Sequence, residues 1–267
     1  MRRFWHRLVE ISLIFVLFSH SGFVLADVGE RPKVGSQVTV MTIKGVISNK
    51  TVAFVESSVP KGHGDPIPAG LIVLLDSSGG DGVAAMRIGR MLRAARAHIF
   101  VTGHCSSACT FILASGVVRG APAYTVGVHR GRITRTDGAG KILSEIDPAE
   151  NPKAAAALLK FEREAKAYFA QMGMSPLLFQ TMQSHERKGV FRLNHNEIAK
   201  FGLSGFDPQY FAQRSQFYEA QTGVYRMDGQ ELRRRTAKVA SRCGEFQSDR
   251  KGFTGCYLEV LRDKYLN

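Results

Sequence analysis

Hydrophobic and polar positions first alternate in QVTVMTIKGVI, residues 37–47, which reads as a strand with side chains on two faces. TVAFVESS, residues 51–58, has the composition of a second short strand, and the Gly- and Pro-rich VPKGHGDPIPAG that follows is a loop. The run LIVLLD, Leu71–Asp76, is continuously apolar at strand length, as expected of a strand covered on both faces in a parallel sheet. SSGGDG interrupts it. Ile88, Met91, Leu92 and Ala95 then keep helical spacing, while Arg87, Arg90, Arg93 and Arg96 take other positions. HIFVTG is a further strand, and GHCSSACTFILASG, residues 103–116, turns from it into a second helix. Residues 70–116 thus predict strand, glycine turn, helix, strand, tight turn, helix: a parallel α/β unit.

Further along, AYTVGVHR predicts a strand ending at His129, and GRITRTDGAGK a polar loop. Residues 152–172 predict a long helix with Leu158, Phe161, Ala165 and Tyr168 on one face. SPLLFQTMQS carries Pro176 where the first turn of a helix tolerates it. FRLNHNEIAKFGL predicts a short extended piece and a helix stopped by Gly202. From about Gln221 the tail is basic and helical in pattern.

The first 26 residues change the setting of everything else. A basic start, MRRFWHR, precedes a short apolar stretch, and Val24 and Ala26 stand where a signal peptidase takes small residues. This predicts a cleaved signal peptide and a periplasmic or secreted protein, the alternative being an N-terminal membrane anchor. A hydrophobic content of 44% describes an ordinary folded chain. The net charge of +13 admits anionic partners, but export and the lack of a basic stretch interleaved with aromatics argue against nucleic acid. Export also brings the four cysteines to an oxidising compartment. Cys243 and Cys256 close a short loop in the tail, which makes them the economical disulfide pair. Cys105 and Cys109 lack the redox C-x-x-C spacing and the ligands for a zinc site; they read as a disulfide straddling Ser107 or as two buried thiols. His63, His104, His185 and His195 have no partner at metal spacing, so neither metal nor other cofactor is expected.

Ser107 is the candidate for chemistry. It sits between small residues where a buried strand turns into a helix, which suits a nucleophile at the strand's carboxyl end and equally suits a helix N-cap. Gly79-Gly80 open on the same edge, where a backbone N–H can join that of Ala108 as an oxyanion hole. His129, at the end of a third strand, can reach the same edge as general base.

LLDSSGGDGVAAMRIGRML, GHCSSACTFILASG and RGAPAYTVGVHR together resemble the proteolytic subunit of the Clp protease. More broadly they resemble the Clp/crotonase superfamily, in an exported branch of predicted periplasmic proteins. The resemblance covers Val38 to Asp207 and implies an α/β spiral of β-β-α units, here with a helical C-terminal extension. It implies Ser107 as nucleophile, His129 as base, Gly80 and Ala108 as oxyanion donors, and the 152–172 helix as an oligomerising handle. The pattern departs at the acid. The family's aspartate falls near Val190, leaving Glu186 as the nearest carboxylate and Asp147 as a remoter one.

The chain therefore divides into a signal peptide (1–26), a leader (27–36), a Clp/crotonase-like domain (37–218) and a basic extension closed by a disulfide (219–267). The function expected is an exported, ATP-independent serine peptidase acting on peptides or loosely folded proteins, with no ATPase partner. The alternative is a catalytically inactive scaffold or binding protein of the cell envelope.

Overall fold

The computed structural model describes residues 39–59, 71–137, 142–185, 189–213, 216, 229–243 and 249–261. The predicted signal peptide, His63 and Glu186 lie outside the described residues. The described residues all belong to one unit, Lys33–Asn267.

Its centre is LIVLL. Leu71 to Leu75 are all buried, and alternate residues enter two different cores. The strand that holds them, β2 (Leu71–Gly80), lies parallel between β1 (Thr39–Ile47) and β3 (His98–Ser106). Leu71, Val73 and Leu75 meet α2 (Gly82–Ala94) and α3 (Cys109–Ser115) on one face. Ile72 and Leu74 face the other side, against Tyr210 and the tail residues Val239, Phe253 and Tyr257. Two covered faces explain why this strand shows no alternation in sequence. The helices begin where the chain supplies caps: the Asp81 carboxylate accepts the N–H groups of Val83 and Ala84 at the start of α2.

The sheet forks at β3. Its first half, His98–Phe100, pairs in parallel with β4 (Val118–Gly120). Its last residues, Cys105 and Ser106, pair in parallel with β5 (Val126–Val128). From β3 the chain passes through α3 to β4, and residues 121–125 then carry it to β5, so the fork brings β5 beside the end of β3.

A hairpin of β6 (Ile133–Thr136) and β7 (Ile142–Ile146) follows, leading to α4 (Pro152–Gln171) and α5 (Pro176–Ser184). Antiparallel β8 (Phe191–Arg192) then closes on β5, and Asn194 and Glu197 form a capping box for α6 (His195–Phe201). Gly202 ends α6 at φ +83, the left-handed stop expected. β9 (Gly205–Phe206) pairs antiparallel with β4, and helical residues α7 (208–213) follow it. The tail forms α8 (Gly229–Arg242) and α9 (Arg250–Leu261), joined by the Cys243–Cys256 disulfide.

Two local expectations are corrected. Residues 51–58 are helical, within α1 (Asn49–Ser58): the Thr51 hydroxyl accepts the Ser48 N–H at the first turn, and only Val52 and Val55, three apart, are buried. GRITRTDGAGK is not simply a loop, because its Ile133–Thr136 segment pairs with β7. That hairpin has no buried face to impose a pattern, and Ile142 and Leu143 are exposed. Three of the arginines of α2 make specific contacts. Arg87 pairs with Glu56 at 3.3 Å, Arg90 lies over the Tyr168 ring, and Arg93 binds the Asp207 carboxylate.

Among the described residues, no helix is long and apolar enough to cross a membrane.

Candidate active site

Ser107 stands one residue beyond β3 with φ +56, a left-handed conformation that a non-glycine residue adopts only at a cost. Its N–H donates to the Gly127 carbonyl of β5 at 2.8 Å, and its carbonyl accepts the Thr110 N–H at 3.0 Å. The elbow is thus held from both sides by main-chain bonds, while its side chain has no hydrogen-bond partner among the described residues. The N-cap of α3 is Ala108, without a side-chain cap, so Ser107 does not act as the cap that its position in sequence also allowed. The Ala108 N–H has no acceptor among the described residues. Of the two readings of Cys105 and Cys109, the structure has the disulfide, which spans the elbow.

The glycine turn comes close from the β2 side. A Cβ on Gly79 would lie 2.7 Å from both the Ser107 Cβ and the Ser106 carbonyl oxygen, and 3.1 Å from the Ala108 nitrogen. Gly80 backs instead onto the main chain of Ile47. The Gly79 N–H is engaged by the Ser77 hydroxyl at 3.1 Å, and that hydroxyl in turn donates to the Gly45 carbonyl. Of the two glycines, then, Gly79 supplies the close approach, and Gly80 is the residue left to consider as an oxyanion donor.

His129 follows β5 directly and is 6% exposed. Ser106 and Gly127 are register partners, which puts His129 on the strand next to the elbow and two residues further along. Its Nδ1 hydrogen-bonds the Arg130 carbonyl oxygen at 2.7 Å. Burial holds the imidazole pKa below its ordinary value; the Arg130 carbonyl opposes that shift, Arg132 adds to it and Glu145 opposes it. No hydrogen bond joins Ser107 to His129 among the described residues; such bonds are often long before substrate binds.

No carboxylate bonds His129 among the described residues. Asp147 turns back to accept the Ala149 N–H at 2.9 Å. Continuing the β5–β8 register by one step sets Val190 opposite His129, and the Val190 side chain lies where a Cβ on Gly127 would go.

One cluster escaped the sequence reading. Lys44, Asp76 and His104 form a row across the ends of β1, β2 and β3. His104 Nδ1 lies 2.7 Å from Asp76 Oδ1, and Lys44 Nζ lies 3.4 Å from Oδ2. Burial alone would raise the Asp76 pKa, but the His104 N–H, the imidazole and Lys44 outweigh it and hold it below the usual value. Gly103 makes room, because the carboxylate occupies the space of its missing Cβ. Only the strand register brings these three residues together. Among the described residues, no group of three or more His, Cys, Asp or Glu side chains is placed to hold a metal ion.

A parallel α/β sheet with a left-handed serine at the carboxyl end of an inner strand is the class of arrangement these residues form. No protein-family model and no curated protein matches the chain. Among solved structures, it is similar to a point mutant of ClpP1 from Listeria monocytogenes, at 16% identity and a TM-score of 0.47. That alignment covers 64% of this chain and 93% of the other. It is also similar to a point mutant of the 1510-N membrane-bound stomatin-specific protease, at 19% identity and a TM-score of 0.44, covering 67% of this chain and 84% of the other.

Proposed function

We propose that this chain is an exported serine hydrolase, a peptidase for peptides or loosely folded proteins, with Ser107 as nucleophile and His129 as general base. The observation that carries this reading is the Ser107 backbone: a strained left-handed residue whose hydroxyl, like the neighbouring Ala108 N–H, has no hydrogen-bond partner among the described residues. Strain of that kind costs about 1–3 kcal/mol and persists where the surrounding structure over-determines it. The acyl-transfer sequence follows from the parts. His129 takes the hydroxyl proton as the Ser107 oxygen attacks a carbonyl, the oxyanion forms against the N–H groups of Ala108 and Gly80, and the imidazolium returns the proton to the leaving amine. Water then repeats the sequence on the acyl-enzyme. Two disulfides suit an oxidising, exported setting, where no ATP is available to an unfoldase. Exposed Leu143 and Leu159, on β7 and α4, supply apolar surface for a homo-oligomer.

Val190 favours a second reading. An apolar side chain opposite His129, in place of an acid, is what a non-catalytic relative serving as an envelope scaffold would carry. Labelling with a fluorophosphonate probe separates the two. The hydrolase reading expects labelling that is lost in Ser107→Ala, and it is abandoned if folded protein shows no Ser107-dependent labelling in any oligomeric state.

A further inference from the structure

The Nδ1 atom of His129 sits 2.7 Å from a carbonyl oxygen, and a carbonyl oxygen only accepts. Nδ1 therefore carries the hydrogen and Nε2 carries the lone pair, the tautomer a general base needs if it is to take a proton through Nε2. In a serine triad that tautomer is set by a buried carboxylate, and a wrong tautomer there costs about 10⁴ in kcat. Here the position opposite the ring belongs to Val190, whose side chain packs on Gly127 on the same face of the strand pair as His129.

We propose that the main-chain carbonyl of Arg130 is the third member of this constellation: it positions the His129 ring and fixes its tautomer, while Val190 occupies the position an acid would take. The proposal rests on the reading of His129 as the base. A carbonyl differs from a carboxylate in one respect that matters. It holds the ring by a dipole and adds no negative charge to stabilise an imidazolium, so orientation is kept and charge compensation is not. Among the described residues, the charged groups that act on the ring are Arg132 and Glu145, which lie beside it on the hairpin side and oppose one another. Burial, more than these two charges, holds the ring's pKa below its ordinary value, which favours the neutral form a base needs. The main chain also explains how such a site can work with no carboxylate bonded to His129 among the described residues, because a carbonyl is present whatever side chain residue 130 carries.

The test reads the tautomer directly. Protein labelled with ¹⁵N-histidine, its His129 signals assigned by their loss in His129→Asn, is followed by NMR at a pH above the ring's titration. The expected result is hydrogen on Nδ1; a free histidine side chain favours hydrogen on Nε2, so finding it on Nε2 overturns the proposal. The second arm weakens the carbonyl by placing an ester at the 130–131 linkage, with glycolic acid in place of Gly131. The Gly131 N–H has no acceptor among the described residues, so the ester removes no other bond. A shift of the population toward Nε2–H, with kcat lowered about tenfold or more and KM unchanged, is expected of an outer orienting partner. An unchanged tautomer in the folded ester protein rejects the carbonyl's role. Because the NMR arms need no substrate, they stand or fall separately from Ser107-dependent labelling, which tests the hydrolase reading itself.

Discussion

A methyl group added to Gly79 would come within 2.7 Å of the Ser107 Cβ. The glycine turn after β2 and the serine elbow after β3 are therefore in direct contact, each shaped to the other. Gly79→Ala meets two obstacles: φ of +106, and collision with main-chain atoms of Ser106 and Ala108 that cannot swing aside. We expect it to cost about 2–4 kcal/mol and to abolish probe labelling at Ser107. Gly45→Ala is the control, since Gly45 has φ +82 but open space around its missing Cβ. It should cost only the backbone strain, about 1 kcal/mol, and leave labelling intact. Equal denaturation midpoints for the two variants would remove the contact from the account.

Ser107 itself should be less stable than the residue the backbone prefers. Its φ of +56 suits glycine, and neither Ser nor Ala adopts it freely. Ser107→Gly is expected to be more stable than Ser107→Ala by about 1 kcal/mol, the left-handed penalty reduced by glycine's extra unfolded-state entropy. Both variants keep the N–H bond from residue 107 to Gly127, so denaturant melts compare the backbone alone. An alanine variant as stable as the glycine one would mean that the elbow holds no strain.

Much of this arrangement was legible in the sequence, and the reason is burial. LIVLL, the Gly-Gly turn, the 152–171 helix and the Gly202 stop each leave a local signature, through two covered faces, a positive φ or a sustained apolar stripe. The misreadings share the opposite property. α1 buries only Val52 and Val55 and is settled by a cap, while its β-branched residues favour a strand reading. The β6–β7 hairpin has no core face to impose alternation. The positions of Ser107 and His129, just beyond β3 and β5, were legible because strand ends are. The Asp76–His104 pair and the Arg130 carbonyl were not, since the first depends on cross-strand register and the second on a main-chain atom that every residue carries.

The pH dependence follows from His129. Its folded pKa lies below the usual 6.5, chiefly through burial. A base must be neutral, so the acid limb of kcat/KM should fall below pH 6.5, and activity should persist into mildly acidic solution. Stability shares the sign. The unfolded chain binds the proton first, so the stabilising contribution is complete above pH 6.5 and is lost as pH falls through the folded pKa. His129→Gln should flatten that slope in a series of denaturant melts. An acid limb above pH 6.5, or a slope unchanged in the variant, contradicts the assignment.

The two disulfides should separate stability from chemistry. Cys243–Cys256 closes 13 residues of tail and staples α8 to α9. Through Val239, Phe253 and Tyr257 the same hairpin covers Ile72, Leu74 and Phe100, and the Tyr257 hydroxyl meets His98 Nδ1 at 2.6 Å. The tail is thus one wall of the sheet's second core, whereas Cys105, Ala108 and Cys109 around Ser107 pack in the first. Replacing both cysteines by serine should cost about 3 kcal/mol on the chain-entropy argument, without altering the rate of probe labelling per folded molecule. Cys105–Cys109 spans only four residues, and the same argument gives it about 1 kcal/mol less. Its loss should instead slow labelling, because it braces the residues on either side of Ser107. Mass mapping of the labelled peptide, paired with denaturant midpoints for both double variants, reads the two effects together. If the tail variant loses labelling and the elbow variant keeps it, the division of roles is reversed.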